Sequence, residues 1–439
     1  MIEVDTQKNK AIILCPNVYG KITGDIEYRV GEAVGLAKAI NLDIVYQEVI
    51  NVPKPKPSTL FGEGVLTRIK EYIETAPDVH LMIVDFSLTS IQQRNLENYL
   101  AVKVIDRTGL ILEIFGARAQ TFEGKLQVKL ASLLYQRSRL VKAWTHLERQ
   151  RGGTGSTGGP GERQLEIDRR LADDAITKIK KQLEEVKRTR SLHRENRKKV
   201  PYPIVTLVGY TNAGKSTLFN YLTGAKVFAQ DLLFATLDPT MRLIKLPCGM
   251  EVIISDTVGF ISDLPHDLVA SFRATLEEVR AADVVLHVRD LSNSQYDVHG
   301  KDVYTILEDL GVSTETKPII EVLNKYDVLD DVKKEYVDGT MGHNEAVCIT
   351  SAISGAGIDT VLDMVSKALR KGEQTYTVEM PVSYGRENAW LQARACIVNE
   401  QYEEDTAVLT VKMSAEHMRK FTIQYPDEAI SIYKIDMNS

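Results

Sequence analysis

The sequence predicts a multidomain α/β protein with four parts: an N-terminal α/β domain, a long antiparallel helical hairpin with a Gly-rich tip, a P-loop domain built on a mixed, mostly parallel sheet, and a small α+β C-terminal domain. Three observations point there. Short apolar strands alternate with helices up to residue 116, apolar residues then recur at helical spacing on both sides of a glycine run, and a phosphate-loop motif stands between a strand and a helix. The expected boundaries are 1–116, 117–199, 200–372 and 373–439.

In the first segment, Ala11–Cys15, Asp43–Ile50, His80–Asp85 and Val102–Ile105 are β-branched and apolar runs that predict strands. Glu32–Ile40, Val65–Glu74 and Gln92–Leu100 predict the helices between them. This alternation is the pattern of a parallel sheet with helical crossovers. Pro53, Pro55 and Pro57 predict an extended loop, and no catalytic cluster is evident in this segment.

The next segment carries two apolar stripes. Leu126, Leu130, Leu133, Leu134, Val141, Trp144 and Leu147 form one, and Ile167, Leu171, Ile179, Leu183 and Val186 form the other. Facing stripes predict an antiparallel helical hairpin. Its second helix, from Glu162 to about Lys199, would be roughly 55 Å long at ~1.5 Å per residue. Between the stripes, 152–161 holds six glycines in ten residues. A plain helix connector of ~2–8 residues has no need of them. Glycine allows close approach to a crowded surface and offers N–H groups to phosphates.

Charge points the same way. Residues 117–199 carry 21 basic and 10 acidic side chains, whereas the rest of the chain carries 33 and 50, so a protein of net charge −6 contains one segment of net +11. This predicts a polyanion-binding arm, with RNA the expected partner. The bland alternative is a solvated hairpin with surplus lysines. The candidate RNA contacts are Gly152, Gly153, Gly155, Gly158, Gly159, Gly161, Arg163, Arg169 and Arg170.

The strongest chemical signal is Gly209-Tyr210-Thr211-Asn212-Ala213-Gly214-Lys215-Ser216, which follows the strand Ile204–Val208 and opens a helix at Thr217. That is the setting of a phosphate-binding loop. Gly209 and Gly214 would let the backbone wrap a β-phosphate at a helix N-terminus. Lys215 would reach the β- and γ-phosphates, and the Ser216 hydroxyl would ligate Mg²⁺.

Downstream motifs select the base. Asp256-Thr257-Val258-Gly259 matches D-x-x-G, with Asp256 expected to hold Mg²⁺ through water and the Gly259 N–H to sense the γ-phosphate. In Asn324-Lys325-Tyr326-Asp327, the Asp327 carboxylate would accept from guanine N1–H and N2. Adenine lacks that donor pair, and a poorly paired buried carboxylate costs about 1–3 kcal/mol or more. Asn324 would brace the loop, the Lys325 stem would lie on the base, and Thr350-Ser351-Ala352 could offer the Ala352 N–H to guanine O6. Four motifs in this order predict a GTP hydrolase.

Two positions bear on the mechanism. Thr236, within Phe234-Ala235-Thr236, stands where a GTPase places its first switch threonine, a Mg²⁺ ligand in the GTP state, with Thr240 the alternative. Lys215, Thr236 and Gly259 are therefore the candidate catalytic residues. Phe260 occupies the place where many GTPases carry a water-orienting glutamine, which predicts slow intrinsic hydrolysis accelerated by ordering or by a partner. His266 and Asp267 are weaker candidates, and His287 reads as a packed core histidine.

These residues resemble one family, the HflX-type translational GTPases. The resemblance runs through D-R-T-G-L-I-L-E-I-F (Asp106–Phe115), E-G-K-L-Q-V (Glu123–Val128), G-P-G-E-R-Q-L-E-I-D-R-R-L (Gly159–Leu171), G-Y-T-N-A-G-K-S-T-L-F-N (Gly209–Asn220), F-A-T-L-D-P-T (Phe234–Thr240) and D-T-V-G-F-I-S-D-L-P-H-D-L (Asp256–Leu268). It implies a factor that binds the large ribosomal subunit and pushes its glycine loop toward ribosomal RNA near the peptidyl-transferase centre. It further implies that the factor splits stalled or stressed ribosomes, with hydrolysis stimulated by the ribosome and releasing the factor. In related GTPases an asparagine at the place of Asn212 helps bind K⁺, so K⁺ beside Mg²⁺ is a further expectation. Arg163 and Ile167 stand where the family commonly has threonine, and an antibiotic-resistance recycling variant is one alternative reading.

Composition narrows the rest. Apolar residues make up 44% and charged residues 26%, as in globular proteins. No apolar run approaches the ~18 residues of a membrane span. Ala11–Cys15 is too short for a signal core, and Cys15, Cys248, Cys348 and Cys396 form no C-x-x-C pair, so a reducing cytoplasm is expected; a monomer is expected as well. A large-subunit assembly factor shares nearly every motif and is the main alternative. A membrane-anchored switch lacks the lipidation signals.

Overall fold

The computed structural model describes residues 9–18, 25–150, 160–197, 202–224, 234, 240–261, 278–341, 346–370, 373–403 and 405–435. The first sheet is built from β1 (Lys10–Val18), β2 (Asp43–Val52), β3 (Val79–Val84) and β4 (Lys103–Asp106), all parallel, in the order β2-β1-β3-β4. Helices α1 (Ile26–Ala39) and α4 (Arg107–Arg118) share an apolar cluster with one face of this sheet. Helices α2 (Glu63–Thr75) and α3 (Ser90–Leu100) share another with the opposite face. The parallel α/β expectation holds, but helix α4 was not anticipated. Gly109 in its first turn weakens the local signal, and Asp106 compensates as N-cap by accepting the Gly109 N–H at 2.8 Å.

The hairpin consists of α5 (Phe122–Gln150) and α6 (Pro160–Arg197). Leu126 and Leu130 pack against Ile176 and Ile179, with Leu133, Leu134 and Leu183 at the margin. Two expected stripe members are not in that seam: Ile167 and Leu171 are 50% and 61% exposed. The side chains of Val141, Trp144 and Leu147 lie outside the described residues. The glycine segment also ends earlier than expected, because Pro160 opens α6 and makes Gly161 helical. Proline suits a first helical position, where its missing N–H has no partner to lose. At its base, α5 is tied to the first sheet by Asp106, which accepts from the Tyr135 hydroxyl at 2.6 Å and lies 3.5 Å from Arg139.

The second sheet contains β5 (Ile204–Gly209), β6 (Thr240–Lys245), β7 (Glu251–Asp256), β8 (Val284–Asp290), β9 (Ile319–Asn324) and β10 (Val347–Ile349), in the order β10-β9-β8-β5-β7-β6. Only β6 is antiparallel to its neighbour. Helices α7 (Lys215–Thr223), α8 (Tyr296–Asp309), α9 (Asp331–Met341) and α10 (Ile358–Leu369) accompany it. The parallel strands end on one edge, where ligands of open α/β sheets bind.

The last unit runs β11 (Glu373–Pro381), α11 (Gly385–Arg394), β12 (Cys396–Glu403), β13 (Thr406–Ser414), α12 (Ala415–Gln424) and β14 (Ser431–Ile435). Its antiparallel sheet has the order β12-β13-β11-β14, a βαββαβ arrangement with both helices contributing to one core. The sequence revealed β11 and β13 but not β12, whose residues are mostly exposed and polar, nor β14.

The first and second sheets share one apolar cluster. Ile13, Ile83, Ile111 and Phe115 from the N-terminal domain meet Val208, Tyr210, Phe234, Val258 and Phe260 from the P-loop domain. Among the described residues, no helix is long and apolar enough to cross a membrane.

Candidate functional site

The site begins where β5 runs out. Gly209 passes so close to β8 that a Cβ would lie 2.1 Å from the Val288 carbonyl oxygen. Gly214 has φ +92°, and a Cβ there would lie 2.2 Å from Asn324 Nδ2. Both glycines are required by their neighbours as well as by the loop itself. Lys215 is buried, and its ammonium donates to the Tyr210 carbonyl at 2.7 Å. Burial pushes its pKa down to about 8, against the opposing pull of Asp256. The Ser216 hydroxyl donates to Asp256 Oδ2 at 2.7 Å.

The third edge loop closes over the first. Asn324 Nδ2 donates to the Ala213 carbonyl at 2.9 Å, and Asn324 Oδ1 accepts the Ala352 N–H at 2.9 Å. One side chain thus clips the phosphate loop to the loop after β10, the bracing role expected of Asn324. The Ala352 N–H, expected to face guanine O6, is committed to Asn324 instead. Lys325 has φ 65° and its ammonium lies 2.8 Å from Asp290 Oδ2. Asp290, at the end of β8, was not anticipated; it holds the lysine ammonium, while Asp327, two residues on, is exposed. Gly259 stands directly over Lys215, where a Cβ would be 2.9 Å from Nζ and 2.9 Å from Thr211 Cα.

Several expected contacts face elsewhere. Thr257 is buried and its hydroxyl donates to the Leu207 carbonyl at 2.7 Å, so it holds β7 to β5. The Ser351 hydroxyl accepts the Ser354 N–H and shapes its own turn. Phe234 packs edge-on against Phe115 of α4, with ring centroids 4.6 Å apart. Phe260 is buried, and its backbone exchanges hydrogen bonds with Gly209 and Thr211 across a short parallel bridge. Its ring is therefore a packing element of the shared core. Thr240 begins β6 opposite Asp256. His287 is buried against Tyr304, and burial holds its pKa down to about 4. Asn212 is exposed at φ 61°, and Thr217 sits in the first turn of α7. Ala235, Thr236, His266 and Asp267 lie outside the described residues, as do Gly152, Gly153, Gly155, Gly158 and Gly159. The side chain of Arg163 is likewise outside them; Arg169 is exposed, and Arg170 pairs with Glu166 at 2.7 Å on the surface.

Comparison with known proteins decides the family. Three family models match in succession: "GTP-binding GTPase N-terminal" over 27–116, "GTP-binding GTPase Middle Region" over 118–197, and "50S ribosome-binding GTPase" over 204–325. The protein named GTPase HflX in Magnetococcus marinus is 45% identical over 434 residues, spanning 98% of this chain and 99% of that protein. This chain belongs to the HflX GTPase family. The Escherichia coli HflX is 43% identical over 373 residues, 85% of this chain and 86% of that protein. The solved complex of SsGBP with GDP aligns at 24% identity with a TM-score of 0.48, covering 83% of this chain and 99% of that one. As an HflX-family P-loop protein, the chain is a GTP hydrolase.

The sequence reading missed one part of this HflX site, its attachment to the N-terminal domain. The Tyr210 ring stacks on His299 at 3.7 Å with 4° between the planes. Its hydroxyl donates to Glu32 Oε1 at 3.2 Å. Glu32 is in turn held by Arg107, which also bonds Asp85 Oδ1 at 2.6 Å. Arg107 is 3% exposed, and its two carboxylate partners raise its pKa despite burial. Arg107 lies inside the D-R-T-G-L segment, but nothing in that pattern indicates that its partner reaches the phosphate loop.

The residues present suit Mg²⁺. Ser216 and Asp256 converge a hydroxyl and a buried carboxylate at the mouth of the phosphate loop, an all-oxygen donor set of the kind Mg²⁺ accepts through one or two protein groups.

Proposed function

We propose that this HflX-family GTPase binds the large ribosomal subunit and uses GTP to split or rescue stalled ribosomes. The observation that carries this reading is the near full-length match to GTPase HflX combined with the basic hairpin and its glycine segment. In the proposed complex the arm, including Arg169 and Arg170, meets ribosomal RNA near the peptidyl-transferase centre. GTP favours the bound, splitting-competent state, and ribosome-stimulated hydrolysis releases the factor.

At the nucleotide, the N–H groups of 209–217 receive the phosphates and Lys215 neutralises the β- and γ-oxygens. Asp327 and the Lys325 stem recognise the guanine, with Asp290 fixing the lysine. Ser216, Asp256 (through water) and Thr236 are the proposed Mg²⁺ holders; when bound, the ion supplies charge neutralisation on the phosphates. Gly259 keeps the space above Lys215 clear and presents its N–H to the γ-phosphate. Phe260 orders the loop by packing and leaves the water-orienting role to a group from elsewhere, so intrinsic turnover is slow. Asn212 is the proposed K⁺ neighbour, and equal turnover in KCl and NaCl would remove that assignment.

A monomeric, cytoplasmic factor fits this role. The test is a sucrose gradient of intact ribosomes mixed with the protein and a non-hydrolysable GTP analogue. Conversion to free subunits is the expected result, and shortening 152–161 should abolish it while sparing intrinsic GTPase activity. Co-sedimentation with precursor particles alone would favour the assembly reading.

A further inference from the structure

The Lys215 ammonium is confined from two sides. It donates to the Tyr210 carbonyl at 2.7 Å, and Gly259 closes over it, where a Cβ would lie 2.9 Å from Nζ. The same carbonyl accepts the Ala213 N–H at 3.3 Å, so the turn of the phosphate loop and the ammonium both refer to one backbone oxygen. The Tyr210 side chain is fixed at two points. Its ring lies flat on His299 of its own domain, and its hydroxyl donates to Glu32 Oε1 of α1 at 3.2 Å. A tyrosine held at both ring and tip has its two side-chain torsions set, which fixes the direction of its own Cα.

Helix α1 meets this stack twice. Tyr28 stands one turn before Glu32, on the same face of the helix, and its ring centroid lies 5.2 Å from that of His299. Glu32 is held in turn by Arg107, which also bonds Asp85, and Arg29 Nε donates to Asp85 Oδ2 at 2.8 Å. Glu32, Asp85 and Arg107 are all buried. Burying two carboxylates with a guanidinium gains little stability over apolar side chains of similar volume, because desolvation offsets most of the attraction. Such a lattice does supply fixed direction, and the atom it presents to the P-loop domain is Glu32 Oε1.

We propose that Glu32, held by Arg107, is a positioning residue for GTP hydrolysis: acting through Tyr210, it sets the place of the Lys215 ammonium from a different domain. This builds on the role given to Lys215 under the proposed function, neutralising the β- and γ-oxygens. Misplacing such a group by ~1 Å can cost on the order of 10²-fold in rate.

Single-turnover hydrolysis of GTP by the full-length protein with Mg²⁺ isolates the chemical step from product release, and a fluorescent GTP analogue gives the affinity. Each variant is assayed well below its own melting midpoint. Tyr210→Phe and Glu32→Gln should each slow the step at least threefold, with the loss in rate constant exceeding any loss in GTP affinity. The double variant should be no slower than the slower single one, since both changes remove the same bond. Lys215→Met tests the underlying reading and should abolish turnover; if it does not, the role of Lys215 falls and the positioning role with it. If Lys215→Met is inactive while Tyr210→Phe and Glu32→Gln hydrolyse GTP at the parent's rate and differ only in melting midpoint, the contact is structural and the positioning role alone is overturned. Losses that multiply in the double variant overturn it as well.

Discussion

Tyr210 of the phosphate loop lies flat on His299 of α8, with ring centroids 3.7 Å apart, while its hydroxyl reaches Glu32 of α1. The residue that follows the first loop glycine is thus gripped by the helix beside its own sheet and by a different domain. One side chain thus joins the loop to α1 and to α8.

Replacing Tyr210 measures that grip. Tyr210→Ala removes a buried aromatic, which should cost about 3–5 kcal/mol in chemical denaturation. It should also speed GDP release several-fold, read with a fluorescent nucleotide in stopped flow. Tyr210→Phe keeps the stack and loses one hydrogen bond to a carboxylate, about 1.5–3 kcal/mol at most. Identical release rates in the parent and the Ala variant would show that the contact does not restrain the loop.

Arg107 carries the other end of the connection. Arg107→Met leaves Glu32 and Asp85 buried without their shared cation, so stability should fall by about 3–5 kcal/mol. A urea midpoint within experimental error of the parent's would contradict the geometry described.

If Asp327 reads the guanine as proposed, Asp327→Asn should shift preference from GTP toward xanthosine triphosphate, because the amide presents a donor where guanine also donates. Competition binding with both nucleotides reads this directly. Unchanged GTP preference would reassign guanine recognition.

Gly214→Ala should abolish GTP binding, since the new methyl would meet Asn324 Nδ2 and the φ of +92° is unfavourable for any side chain. Calorimetry on the purified variant checks it. Retained affinity within threefold would mean that Asn324 gives way at little cost.

His299 supplies a pH dependence. Burial holds its pKa down to about 4, with Asp302 and Asp290 pulling the other way. An unfolded histidine titrates near ~6.5, so as pH falls from there toward 4 the unfolded chain gains a proton that the folded chain refuses. The stabilisation is complete above 6.5 and is lost on acidification through this window. His287 behaves alike. His299→Leu should therefore flatten part, not all, of the acid-side slope of the urea midpoint, and an unaltered slope would contradict this.

The candidate nucleotide site could be proposed from the sequence because phosphate and guanine recognition call for fixed residue types at fixed places, and Gly209, Gly214, Lys215, Ser216, Asp256, Asn324 and Asp327 do stand along one sheet edge. The parallel strands of the first sheet were legible from apolar runs alone. Partnership across domains was not. Tyr210, Phe234 and Phe260 read as nucleotide or switch residues by position, whereas their rings are core-packing elements, and packing partners leave no local pattern. Ile167 and Leu171 had the right period for the helical seam but lie beyond the reach of α5's described partners. Helix α4 was hidden by Gly109, and its cap becomes apparent only once Asp106 is seen bridging to Tyr135.

The apolar cluster that runs through both sheets has a practical consequence for dissection. A fragment cut near residue 200 would bare Tyr210, Val258 and Phe260 to water. Such a piece would either cling to other molecules or re-fold its loops to hide those rings, and its turnover would describe that altered molecule and not the parent enzyme.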